Sequence, residues 1–356
     1  MAFSAIRLAV ARKRRQFTKK ALAANAGISQ VHLTRIEGGE TTEPERETVE
    51  SLARALAYPV DFFYLADCVE LPTEAASFRS LSSITSRQRD AALASGAIAF
   101  DLDYWVAVRF DLPTPDLLDL RDEEPTAAAA ALRSYWSIGS KPIQHLSKLL
   151  EAKGVRVFSL AEGNKSVDAF SCWNGSTPYM FLNTFKSAER SRFDAAHELG
   201  HLVMHRHGAG RDAEREADQF AAAFLIPRGD LIGQLPRVWS LQQLVEAKER
   251  WGVSVAALAR NVFEAGLVSD WTYRELCRQI SIRGYRTSEP NARPREESVL
   301  WRKVFESLWR DRQSKEHVAR ELCIPIDEIQ ALIGGLYGDK VGHISAGSRK
   351  PDLRAV

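Results

Sequence analysis

The chain has 356 residues, of which 45% are hydrophobic and 26% charged, with a formal net charge of +2. That is room for two or three domains with sizeable cores, and it excludes a disordered or fibrous chain. The total charge points to no partner, but its distribution does: residues 1–39 hold eight Lys and Arg against one acid, Glu37, and residues 40–75 hold nine acids against two Arg. Such asymmetry suggests a basic face made for a polyanion. Cys68, Cys172, Cys277 and Cys323 form no CxxC pair, which argues for free thiols in a reducing cytosol. No apolar stretch precedes the first charges as in a secretory signal, and no run approaches the ~18 apolar residues of a membrane span. The expectation is a soluble, cytoplasmic protein with no membrane partner.

In chain order, residues 3–65 read as five short helices with brief turns. Thr18 is placed to cap the second of them, and Gly27 to turn the chain into the third. Residues 68–85 have no periodicity and read as a linker. "SRQRDAALASGAIAFDLDYWVAVRF" predicts a long helix, and a second helical stretch runs from "TAAAAALRSYW" into "PIQHLSKLLEAKG". Period-two patterns in "VRVFSL", "VDAFSCW" and "PYMFLN" predict three strands of a small sheet. "RFDAAHELGHLVMHRHG" and "EREADQFAAAFLIP" are helices, the second halted by Pro227. Helical patterns fill 240–285, and "SEPNARPREES" breaks them before a last helical segment that ends near 337. Residues 338–356 have no periodicity and read as a flexible tail.

"TKKALAANAGISQVHLTRIEGG" has the apolar spacing of a helix-turn-helix. Ala21, Leu22, Ala26, Ile28, Leu33 and Ile36 supply the inner side of two helices. The second then turns Ser29, Gln30, His32, Thr34 and Arg35 outward, where they can reach base edges of a double-stranded DNA operator. Arg14, with its neighbours on the first helix, and Lys19 and Lys20 are placed for phosphate contacts. Residues 5–66 resemble the XRE (lambda-repressor-like) helix-turn-helix family through "AGIS", "IEGG" and "LARALAYPVDFFY". That family usually has Gln where Lys19 stands. A homodimer on a palindromic operator is the matching expectation.

In "HELGH", His197 and His201 are four apart and share one helix face, so both imidazoles can ligate one ion. Glu198 lies about 100° around the helix, placed to act on water as a general base. A third protein ligand is required. His205 sits roughly 12 Å along the axis from His197 and can at best support another ligand. His207 stands where metzincins place a third His, but Met204 occupies the position that pattern gives to Gly. The better source is "EREADQFAAAFLIP". Glu214 and Glu216 are about 200° apart on a helix, so only one can face the ion. Glu214 has Asp218 one turn along its own side, a carboxylate that could orient a His, so Glu214 is preferred and Glu216 is the alternative.

Residues from about 140 to 285 resemble the ImmA/IrrE metallopeptidase family, through "LLEAKGVRVF", "RSRFDAAHELGHLVMH", "EREADQFAAAFLIP" and "RWGVSVAALARN" in that order. The resemblance implies a small α/β gluzincin-like domain carrying one zinc, with manganese as an alternative, on two His and one acidic residue. It also implies a substrate that is a helix-turn-helix repressor or an antitoxin. The expected architecture is therefore multidomain α+β. A helix-turn-helix bundle spans 1–67, the linker 68–85, the metallopeptidase domain with leading helices 86–285, and a mostly helical segment 286–337 before the tail. The expected function is a DNA-binding regulator whose zinc endopeptidase cleaves a repressor, an antitoxin or its own linker near "PTEAASFRSLSS", with substrate added to a sheet edge from "VDAFSCW" or "PYMFLN". The alternative is a transcription factor whose peptidase-like cleft senses a ligand or partner. Such a protein could lose Glu198 at no structural cost, yet Glu198 is present.

Overall fold

The computed structural model describes residues 2–71, 85–160, 169–205, 210–235, 237 and 240–337. The core of the expected linker with its candidate cleavage segment, the tail, and His207 lie outside the described residues. Side-chain oxygens take the place of missing backbone partners at the first helix starts. Ser4 caps α1 (Ala5–Arg14), Thr18 caps α2 (Lys19–Ala26) and Ser29 caps α3 (Gln30–Glu37). Gly27 ends α2 at φ 70°, a left-handed conformation that favours glycine and redirects the chain into α3. α4 (Arg46–Leu56) and a 3-10 turn (Val60–Tyr64) close the bundle over Leu8, Leu22, Leu33, Ile36, Leu52, Phe62 and Phe63, all fully buried. These are the five expected helices, the last of them a 3-10 turn.

α5 (Ser86–Ala107) starts on a capping box between Thr85 and Gln88. Its run of small residues, Ala91 to Ala99, is buried almost throughout, because neighbours close in from several sides. From the bundle, Arg7 Nη1 reaches Asp101 at 2.9 Å. From the sheet, the Tyr179 hydroxyl donates to Asp103 at 2.6 Å. α6 (Pro125–Tyr135) and α7 (Leu146–Ala152) follow.

The sheet has three strands in the order β1-β3-β2: β1 (Arg156–Ser159) is parallel to β3 (Thr177–Leu182), and β2 (Phe170–Asn174) is antiparallel to it. Phe170 and Phe158 both stack on Phe181, at 4.4 and 5.7 Å between ring centroids. β3 is thus flanked on both sides, which corrects the expectation that "PYMFLN" could offer a free edge. Among the described residues β2 is an edge strand.

α8 (Ala188–Met204) lies across the sheet and α9 (Arg211–Leu225) lies across α8. Gly200 permits that second crossing, since a Cβ there would come within 3.0 Å of the Phe220 ring and 3.3 Å of the Ala217 Cα. α10 (Arg228–Gln234), α11 (Leu241–Trp251), α12 (Val255–Glu264) and α13 (Asp270–Ile282) complete this layer.

Residues 289–298 form a strap across α8 rather than the open break their charge and prolines suggest. Lys248 is 2% exposed and pairs with Glu189 and Glu289 at 3.4 and 3.3 Å. The Arg293 amide also donates to Glu189, and Arg192, itself buried, pairs with Glu296. Buried charges persist only when paired in this way. Beyond the strap, α14 (Val299–Arg310), α15 (Lys315–Glu321) and α16 (Ile326–Ile333) reach back to the other layers. The Trp301 indole donates to Val157 O at 2.9 Å, and Glu328 of α16 meets Arg14 and Tyr58 of the bundle. The four cysteines are unpaired thiols, and among the described residues no helix is long and apolar enough to cross a membrane.

Candidate metal centre and nucleic-acid interface

α8 and α9 bring three donors to one point. His197 and His201 are 1% and 3% exposed, and their Nε2 atoms stand 3.0 Å apart. Glu214 approaches from α9, with one carboxylate oxygen 3.3 Å from His197 Nε2 and the other 3.4 Å from His201 Nε2. Donor atoms of all three lie within 4.8 Å of one another. Two imidazole nitrogens and a carboxylate from two helices are a donor set that zinc takes in open sites, so the residues present fit the ion that the sequence implies. Burial pushes the His201 imidazole toward its neutral form, the form that ligates metals. Burial works against the charge of Glu214 too, but hydrogen bonds with His197 and His201 outweigh it and hold the carboxyl well below its usual range.

Each imidazole is steadied from behind. His197 Nδ1 lies 2.9 Å from Asp218, one turn beyond Glu214 on α9. His201 Nδ1 lies 3.2 Å from His205 Nδ1, and His205 Nε2 lies 2.9 Å from Glu216. The two acids that the sequence leaves as alternatives are therefore separated, Glu214 facing the donors and Glu216 facing His205. Partners behind ligand histidines typically carry about 10–100-fold in metal affinity. Asp218→Asn is accordingly expected to weaken zinc binding by about that factor, read by competition with a chromophoric chelator. An unchanged affinity would remove Asp218 from the site.

Glu198 is 1% exposed and lies against β2. The Ser171 hydroxyl donates to its carboxylate at 2.7 Å, and the Trp173 indole donates to Leu202 O at 3.2 Å. Ser171 and Trp173 share one face of β2 and pin the edge strand to the helix that carries the donors. Burial pushes the Glu198 carboxyl up to about 8, with Glu214 and Asp194 adding to it and His197 and Ser171 opposing. Sequence reasoning misses Ser171, because a lone serine on a strand carries no spacing signal.

On the N-terminal bundle, Gln30, Thr34 and Arg35 are exposed on α3, and His32 is half-buried. The Ser29 hydroxyl accepts from His32 N at 3.1 Å, so it serves first as the cap. Lys20 is exposed, whereas Lys19 lies 3.2 Å from Glu37, which also holds Arg12 at 2.5 Å. Arg14 is placed differently from the expected phosphate contact. Its guanidinium is directed at Glu328 of α16, at 2.7 Å, with only 9% of the side chain exposed.

Comparison with known families assigns both regions. Residues 5–61 match the family model of a helix-turn-helix domain, and residues 150–263 match the IrrE N-terminal-like domain of the M78 peptidases. The chain thus carries a helix-turn-helix domain followed by an IrrE-like M78 domain. No curated protein matches the chain. The helix-turn-helix domain marks a DNA-binding regulator, and the M78 domain is metallopeptidase-like. The M78 match runs from α7 into α12 and so encloses the sheet, His197, Glu198, His201 and Glu214. The long helix α5 and the helices after 263 lie outside both matches.

Proposed function

We propose that this chain is a DNA-binding transcriptional regulator whose M78 domain is a zinc-dependent endopeptidase, cutting a helix-turn-helix repressor, an antitoxin or its own chain. The observation that carries the reading is the convergence of His197, His201 and Glu214 with the buried Glu198 beside them. His197, His201 and Glu214 would hold the ion, which when bound supplies Lewis-acid chemistry for peptide hydrolysis. Three protein ligands, with Asp218 and the His205–Glu216 pair one step behind, suit an open site better than a structural zinc closed by four. With a cation on the three donors favouring its charged form against the burial that raises it, Glu198 would take a proton from the attacking water and return it to the leaving amine. Ser171 holds the Glu198 carboxylate in place. An extended substrate segment adds to the side of β2 away from β3, where β2 passes directly by Glu198. The regulator acts as a cytoplasmic homodimer on a palindromic operator, read by Gln30, His32, Thr34 and Arg35 with Lys19 and Lys20 at the backbone.

The test compares wild type with Glu198→Gln. One zinc per chain in both proteins, with new protein N-termini in cells expressing wild type only, is the expected result. Metal in both without any such fragment would favour the non-proteolytic sensor. Failure of both to bind zinc or manganese would sink the peptidase reading.

A further inference from the structure

The metal-facing stripe of α8 continues toward the N-terminus of the helix. At about 100° per residue, Arg190 and Phe193 lie within about 40° of the direction of His197, and Asp194 within about 60°. Asp194 and Glu198 are four apart and are neighbours on the helix surface. This stretch of α8 forms one wall of a cavity of about 460 Å³, closed by Ala257 of α12 and by Tyr285 and Arg286 after α13. A larger cavity, about 940 Å³ between α6, α9, α10 and α12, takes Gln219, Ala222 and Ala223 from α9 and nothing from α8, so it is separate from the donors.

The smaller cavity has a distinct chemistry. Its floor is the Lys186–Asp194 pair at 2.7 Å, whose side chains are 8% and 5% exposed, so the two charges answer each other and solicit no ligand. Its walls are aromatic: Phe185, Phe193 and Tyr285. The lining acids Glu189 and Glu289 are tied to Lys248 at 3.4 and 3.3 Å, which leaves two arginines to set the charge of the rim. Among the described residues Arg190 and Arg286 are exposed and form no ion pair, and the Arg286 Nε donates to the Ser281 hydroxyl at 3.3 Å. An extended segment laid on β2 sends alternate side chains toward α8, because β2 is pinned there through Ser171 and Trp173.

We infer that this cavity receives the substrate side chain next to the scissile bond, selecting a large aromatic or aliphatic residue flanked by an acidic one. The inference rests on the peptidase reading and supplies its substrate class. The bulky side chain leaves water for the rings of Phe185, Phe193 and Tyr285, and the acidic neighbour meets Arg190 and Arg286 at the rim.

The test uses zinc-loaded full-length protein and two peptidyl hydroxamates that differ only in carrying a benzyl or a methyl side chain. Wild type should bind the benzyl compound about tenfold or more tightly, as expected for filling an apolar pocket. Ala257→Trp, which fills the cavity, should erase that preference, and Phe185→Ala, at a half-exposed wall that the fold does not need, should narrow it. A library of cell-derived peptides should be cut beside large apolar residues with an acidic neighbour, and Arg190→Glu should remove the acidic preference alone. Equal or undetectable binding of the two hydroxamates, or a benzyl preference untouched by both pocket variants, overturns the inference. Benzyl preference abolished by Ala257→Trp without any library cleavage keeps the pocket and rejects the peptidase.

Discussion

Glu214→Ala should all but empty the metal site, whereas Glu216→Ala should leave it filled. A complete zinc ligand set is worth about 10–16 kcal/mol in small folded sites. Removing one of three ligands then costs about 3–5 kcal/mol, or two to four orders of magnitude in affinity. Among the described residues Glu216 pairs with His205 alone, which stands behind His201, so its loss should cost about tenfold at most. Chelator competition on the two variants decides between them. If Glu216→Ala were the variant that lost zinc, α9 would have to turn its other face to α8 in the metal-bound protein. That would contradict the packing of Phe220 and Ala217 against Gly200.

The same two residues show how far the sequence can be read. A helix places Glu214 and Glu216 on different faces, and it places Asp218 beside Glu214, so the pairing of Asp218 with a histidine follows from helical spacing alone. Burial does not separate the two acids, because both flank the apolar face of α9. Only the position of α9 over Gly200 does that. The order of the sheet is partly legible as well. "PYMFL" is apolar at nearly every position, the mark of a strand covered on both faces, whereas Ser171 and Asn174 interrupt β2. Reading "PYMFLN" as an edge gives its alternation more weight than its continuity. Two features have no local signal at all. The strap at 289–298 carries charge and proline, which ordinarily mean solvent, and only Lys248, Glu189 and Arg192 reveal where those charges go. Likewise Arg14 looks like a phosphate contact in a basic helix, and the carboxylate that takes it lies 314 residues away.

That distant carboxylate leads to the second large effect expected. Glu328 is 1% exposed and accepts from Arg14 Nε at 2.7 Å and from the Tyr58 hydroxyl at 2.9 Å, with Arg15 Nη1 at 3.3 Å. Arg15 also stacks over the Tyr58 ring at 5.0 Å and pairs with Asp327 at 2.6 Å. Glu328→Ala removes the buried anion from beneath these guanidiniums, and breaking a buried pair on one side costs about 3–5 kcal/mol. Urea unfolding should register that loss as a lower midpoint. Hydrogen exchange should rise first in α1 and α16, while α8 and α9 keep their protection and zinc stays bound. Arg14→Met combined with Glu328→Leu should recover much of the stability, since an apolar pair of similar volume leaves no stranded charge. Equal midpoints for wild type and Glu328→Ala would mean that α16 merely rests on the helix-turn-helix bundle. A full loss confined to α1 and α16 would make the last helices the clasp that fixes the bundle to the peptidase-like domain, a role for residues 299–333 that their own sequence does not disclose.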